Sequence, residues 1–155
     1  GGELGLYNSV LSGISLDGTR FFYVNPLRQT DPLPTELRWP RTRVPFIVSF
    51  CCPPNVLRTV AEVGGYAYSK SEQTIWVNLY GSNTFDTTVG EGNRIRLEQK
   101  TNYPWDGQIR ITILECGSVP IRLKLRIPGW AKSATLSVDG GASQRAQGPR
   151  HLCHD

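Results

Sequence analysis

The densest chemistry in this chain is "CCPPN", Cys51 to Asn55, where two of only four cysteines stand side by side before two prolines. A disulfide between neighbours would be strained, because bridged Cα atoms sit about 4.4–6.8 Å apart and adjacent ones about 3.80 Å. Two other uses stand beside it. Free cysteine packs as a small hydrophobe, and this pair precedes an apolar-faced segment. The pair also sits at a helix mouth, since Pro53 and Pro54 lack N–H groups that a first turn leaves unpartnered anyway. The partial positive charge of a helix N-terminus favours thiolate over thiol. Thiolates there can bind zinc or attack an electrophile.

Zinc would need two further ligands. The candidates are Cys116, Cys153, His151, His154 and several carboxylates. Cys116 closes a strand-like run and reads as core packing. His151, Cys153 and His154 fall in the terminal "HLCHD", and a fraying terminus holds a metal poorly. Tyr23, taken alone, reads as an aromatic in a hairpin core.

The elements that position these residues fall into two textures. Leu4, Leu6, Tyr7, Val10 and Leu11 have helical spacing, with Gly13 as a stop. Asp17-Gly18 marks a turn between short apolar runs, which predicts a hairpin. Residues 28–45 are rich in proline and charge and read as loop. Val56, Leu57, Val60, Ala61 and Val63 give the helix after the prolines one apolar face, weakened at Gly64-Gly65 and ending near Ser69. After Ser71 the pattern changes to period two in "TIWVNLY", "NRIRLEQKT", "QIRITILEC" and "PIRLKLRIP", and "SATLSVDG" adds another strand and turn. Gly and Asp/Asn turns separate these runs, which predicts an antiparallel β-sandwich.

Composition supports a folded, mildly basic piece. Of 155 residues, 39% are hydrophobic and 19% charged, with net charge +4, so a packed core is expected. The basic residues are scattered, which argues against a nucleic-acid partner. No apolar run is long enough to span a bilayer, so no membrane partner is expected. The chain has no methionine and opens as if inside a helix, so it reads as a fragment of a longer protein.

Five blocks then take on meaning together: "LYNSVLSGISLDGTRFFYVNPL", "CCPPNVLRTVAEVGGYAYS", "IWVNLYGSNT", "QKTNYPWDGQIRITI" and "LKLRIPGWAKSATLSVDG". In content, order and spacing they resemble glycoside hydrolase family 127, the β-L-arabinofuranosidases and relatives, over roughly residues 2–140. The resemblance implies an α+β fragment: the last helices of an (α/α)6 barrel with the active-site loop (1–70), then an incomplete antiparallel β-sandwich (71–140). It implies a retaining glycoside hydrolase acting on an arabinofuranoside or related glycoside. In it Cys51 is nucleophile and zinc ligand, Cys52 is a second zinc ligand, and Tyr23, in "YVNP", lies beside the nucleophile. A Glu and a Cys from an upstream "GETC"-like segment complete the Zn2+ site, and an upstream Glu is the acid/base. A homo-oligomer of the full-length protein is a further partner expectation.

The departures shape the expectation. No "GETC"-like segment occurs here, so the chain is expected to be inactive alone. The family's lead-in often has a further Cys just before the pair, where Ser49 and Phe50 stand here. Residues 141–155 lose the alternating pattern and read as an atypical tail, out of frame or from an incomplete gene. Trp105 and Trp130 are read as packing residues. A half barrel leaves apolar faces uncovered, so residues 1–70 alone are expected to be poorly ordered or to aggregate. Free catalytic thiols suit a reducing cytoplasm. Two alternatives are a non-catalytic carbohydrate-binding sandwich, which needs exposed aromatics on one sheet face, and a small structural zinc protein using Cys51, Cys52, Cys153 and His154.

Overall fold

The computed structural model describes residues 1–25, 28, 30–33, 36–146 and, by backbone alone, 151–154. They form an α+β chain with two compact units, Gly1–Val63 and Gly64–Asp155.

The first unit opens with helix α1 (Gly2–Gly5), which runs on as a π turn over Leu6–Val10 and a 3-10 turn over Leu11–Gly13. The expected helix is therefore present, but its pitch changes twice. The Ser12 hydroxyl bonds back to the Asn8 and Ser9 carbonyls, the kind of side-chain competition that distorts a helix end. The Asp17-Gly18 hairpin forms as expected. Gly18 takes φ +72°, a conformation cheap only for glycine. Ser15 N–H bonds the Arg20 carbonyl at 2.9 Å, and the Asp17 carboxylate accepts from Thr19 N–H at 3.1 Å. Ile14 pairs with Phe21, and Phe21 in turn with Val44.

Helix α2 (Cys52–Tyr66) begins with the two prolines inside its first turn. Asn55 N–H reaches the Cys51 carbonyl at 3.1 Å, so Cys51 is the residue that opens the helix. The helix passes through Gly64-Gly65 and stops at Tyr66. Its half-buried stripe is Cys52, Val56, Thr59 and Val63, whereas Leu57 and Val60, expected on the covered face, are exposed.

The second unit is β. Strands β1 (Tyr68–Lys70), β2 (Thr74–Val77), β6 (Arg122–Arg126) and β9 (His151–His154) form one sheet in the order β1-β2-β6-β9. Strands β3 (Asn83–Val89), β4 (Asn93–Thr101) and β5 (Ile109–Cys116) form a second, and β7 (Ala134–Leu136) pairs with β8 (Gln144–Ala146). Pairing is antiparallel except between β2 and β6, which run parallel. The exception follows from topology: between them the chain builds β3–β5 in the other sheet and returns in the same direction, which a hairpin cannot do.

The core joins the two larger sheets. Ile75 from β2 packs with Val89, Ile95 and Leu97 from β3 and β4, flanked by Tyr68, Phe85, Ile121 and Leu123. The Tyr68 and Phe85 rings stack at 4.1 Å. Strand β4 shows why alternation was a sound guide: Asn93, Ile95, Leu97 and Gln99 are buried while Arg94, Arg96 and Lys100 face out. Strand β3 has the same burial rhythm, but only Phe85 and Val89 carry it in apolar residues, so the sequence pattern misses it. Two short strands, β8 and β9, stand in the stretch expected to be an atypical tail.

Three packing expectations are corrected. Cys116 is exposed although its register partner Ile95 is fully buried, because the core packed between the sheets draws on β2, β3 and β4 and does not extend over β5. Trp105 is 84% exposed, held at a turn in which its N–H bonds the Asn102 carbonyl. Trp130 is 55% exposed and meets only part of its surface with Tyr103, ring centroids 6.2 Å apart. Among the described residues no helix is long and apolar enough to cross a membrane.

Candidate active site

Cys51 ends an irregular segment and starts α2, and its side chain is exposed. Three groups surround the sulfur. Tyr23 Oη and Ser49 Oγ each lie 3.4 Å from Cys51 Sγ, and Cys52 Sγ lies 3.6 Å away. Both cysteines are free thiols, and that separation is far beyond a disulfide bond of about 2.03–2.05 Å. The burial reading fails for Cys51, which faces out at the helix mouth.

The electrostatics separate the two sulfurs. Hydrogen bonds from Ser49 first, then from Tyr23 and Cys52, bring the Cys51 thiol down to about 7. A hydroxyl that donates to sulfur stabilises the thiolate more than the thiol. Burial, and then the hydrogen bond to Cys51, push the Cys52 thiol up. The Tyr23 phenol is raised, chiefly by its hydrogen bond to Cys51, so it keeps its proton and remains a donor. The pair is thus divided into one thiol poised to ionise and one that resists it.

Several contacts bring Tyr23 to this place. Phe22 N–H bonds the Gly13 carbonyl at 3.0 Å. The Arg43 guanidinium donates to the Ser12 carbonyl through Nε at 3.1 Å and lies 4.6 Å from the Phe22 ring centroid. Asn25 Nδ2 donates to Ser12 Oγ at 2.8 Å. Gly13 lies under α2, where a Cβ would stand 3.7 Å from Val56. The distorted helix end thus anchors the segment on both sides of Tyr23. The Tyr23 ring itself packs on Trp39, centroids 4.4 Å apart. Trp39 also lines an open cleft of about 600 Å³ between Asp31 and Arg41.

All three site residues expected from the sequence, Cys51, Cys52 and Tyr23, therefore meet. Ser49 and Trp39 were not expected there. Ser49 had a signal, a hydroxyl two residues before the sulfur. Trp39 had none, because nothing in a proline-rich loop marks which ring it will meet. Among the described residues no group of three or more His, Cys, Asp or Glu comes together as a metal cluster. The side chains of His151, Cys153 and His154 lie outside the described ones.

Comparison with known proteins gives a consistent result. Residues 2–65 match the family model for the β-L-arabinofuranosidase GH127 catalytic domain, and residues 74–152 match that for the GH127 middle domain. A non-reducing end β-L-arabinofuranosidase of Bifidobacterium longum subsp. longum is 36% identical over 147 residues, covering 89% of this chain and 22% of that protein. A solved structure described as a glycoside hydrolase is 45% identical with TM-score 0.84, covering 96% of this chain and 25% of its own. A GH127 β-L-arabinofuranosidase of Geobacillus stearothermophilus T6 is 32% identical with TM-score 0.80, covering 98% and 25%. The chain therefore spans about a quarter of the length of these relatives.

Proposed function

The chain belongs to the GH127 β-L-arabinofuranosidase family, and from that premise we propose that it carries the nucleophile side of a retaining glycosidase site. The substrate is an arabinofuranoside or related glycoside, and Cys51 is the attacking group. The observation that supports this is the asymmetry of the cysteine pair: an exposed sulfur with two hydroxyls at 3.4 Å and a thiol brought down to about 7.

In this reading the Cys51 thiolate attacks the anomeric carbon, a C–S bond forms and the glycosidic C–O bond breaks. The leaving oxygen takes a proton from a glutamic acid carried by the upstream segment that the family resemblance implies. Water, deprotonated by that same glutamate, then displaces the sulfur, and two inversions retain the configuration. A low thiol pKa also makes Cys51 a good leaving group in the second step. Tyr23 and Ser49 hold the thiolate and aim it. Residues 1–70 close the catalytic (α/α)6 barrel, and residues 71–140 begin the β-sandwich.

The cysteine pair fits zinc as half of a site. Two thiolates on a tetrahedral zinc at about 2.3 Å lie about 3.8 Å apart, close to the 3.6 Å between Cys51 and Cys52. When bound, zinc supplies the positive charge that keeps both thiolates deprotonated. The remaining Glu and Cys ligands belong to the upstream segment.

Zinc content of the purified chain, beside Cys51→Ser and Cys52→Ser, tests this. Expected is zinc well below one per chain, with added cobalt giving a thiolate-to-cobalt absorption band that each serine variant abolishes. A band that survives either substitution would remove that cysteine from the ligand set. Near-stoichiometric zinc lost in Cys51→Ser would mean that a whole site assembles within these 155 residues. An electrophilic arabinofuranose analogue is expected to label Cys51 over Cys52, and equal labelling would count against the nucleophile assignment.

A further inference from the structure

Tyr23 reaches Cys51 from a segment without a ladder of its own. The last β-bridge before it is at Phe21, Phe22 N–H bonds the Gly13 carbonyl, and Asn25 is anchored beyond it, contacts that hold the backbone and leave the Tyr23 rotamer open. A tyrosine has two rotatable side-chain bonds, and an oxygen-to-sulfur contact of 3.4 Å is a weak constraint on them. Something else must select the rotamer. The ring's aromatic neighbour is Trp39, at 4.4 Å and 36° between planes, close enough for a favourable aromatic pair. Trp39 is itself held, since the Arg38 guanidinium carbon lies 5.3 Å from its ring centroid, within cation–π range.

We propose that Trp39 is a positioning residue for the nucleophile: its indole fixes the Tyr23 ring so that the phenol hydroxyl stays against Cys51 sulfur, with Arg38 steadying the indole. The purpose of this device rests on the reading of Cys51 as nucleophile, while its geometry does not. The indole has no acid or base to offer sulfur and acts only through Tyr23.

A double-mutant cycle on the full chain tests the role. The readout is the ratio of Cys51 to Cys52 alkylation by iodoacetamide at one fixed pH, resolved by fragmenting the tryptic peptide Val44–Arg58. Trp39→Ala is expected to lower that ratio about twofold, because the phenol hydroxyl leaves the Cys51 sulfur for part of the time. Trp39→Phe is expected to restore most of the ratio. In a Tyr23→Phe background Trp39→Ala is expected to add nothing. If Trp39→Ala loses the circular dichroism of the parent chain, Arg38→Ala, which keeps the indole, takes its place with a smaller shift of the same sign. An equal shift in both backgrounds, or none with Tyr23 present, would overturn the proposal. Alkylation needs neither sugar nor zinc. A reactive Cys51 indifferent to Trp39 therefore removes the positioning role alone, whereas a Cys51 no more reactive than Cys52 removes the nucleophile reading with it.

Discussion

Ser49→Ala is the sharpest probe of the candidate site. Ser49 makes the largest single contribution to the lowered Cys51 thiol, ahead of the Tyr23 and Cys52 side chains, and these three with a Cys52 backbone bond outweigh the opposing burial effect. The drop runs from 9.0 to about 7, so the largest of its four hydrogen bonds accounts for at least about half a pH unit. Removing it moves the alkylation midpoint of Cys51 up by that much or more. The sign is set by the thiolate: it is the species that reacts, so reactivity rises with pH through the midpoint, and the variant needs a higher pH. The plateau rate moves the other way. A thiolate half a unit more basic is about 1.7-fold more nucleophilic. Below both midpoints a roughly threefold loss of thiolate is therefore partly offset, and the variant is expected to react about twofold more slowly or slower still. Mass spectrometry of Val44–Arg58 after timed iodoacetamide treatment gives both limbs. An unmoved midpoint, or an equal rise for Cys52, would refute the assignment of Ser49 to the Cys51 sulfur.

Other consequences concern the fold. Ile75 is fully buried at the centre of the core, so Ile75→Ala is expected to cost about 2–5 kcal/mol in urea unfolding of the second unit; a loss under half that would mean the two sheets pack loosely. A Cβ at Gly117 would stand 2.0 Å from Asn93 Oδ1, in a side chain that bonds the Val119 backbone through Nδ2 at 2.9 Å. Gly117→Ala is therefore expected to destabilise by about 1–3 kcal/mol, while Gly107→Ala, with nothing near its Cβ, is expected to be close to neutral. Asp86 meets Arg94 at 2.8 Å on the surface, and that bond lowers its carboxyl. Its small contribution is present above the ordinary carboxyl range and is lost as pH falls through the lowered value. Asp86→Asn should remove that limb of the acid-unfolding curve and be invisible at high salt; an effect persisting in high salt would contradict the surface reading.

The chain itself determined the parts of this protein that depend on local chemistry. Two prolines after Cys52 suit the first turn of a helix, Asp17-Gly18 favours a turn, and the strict alternation of Asn93–Thr101 marks one face of a strand for burial. These follow from missing N–H groups, from a positive φ, and from a side-chain period of two, none of which needs a distant partner. The blocks around "CCPPN" and "RIPGWA" also carried the family. Tertiary structure decided what no local pattern encodes. It made β2 and β6 parallel by sending the intervening strands to another sheet, and it left Cys116 exposed by centring the core on β2, β3 and β4. It also supported β3 through cross-strand partners that its threonines did not announce. At the site the difference is sharper. Local residue chemistry offered two neighbouring thiols that only the family resemblance told apart. Only folding brought Ser49 and Tyr23 to one sulfur and partial burial to the other, because hydrogen bonding and desolvation depend on what surrounds a group in space.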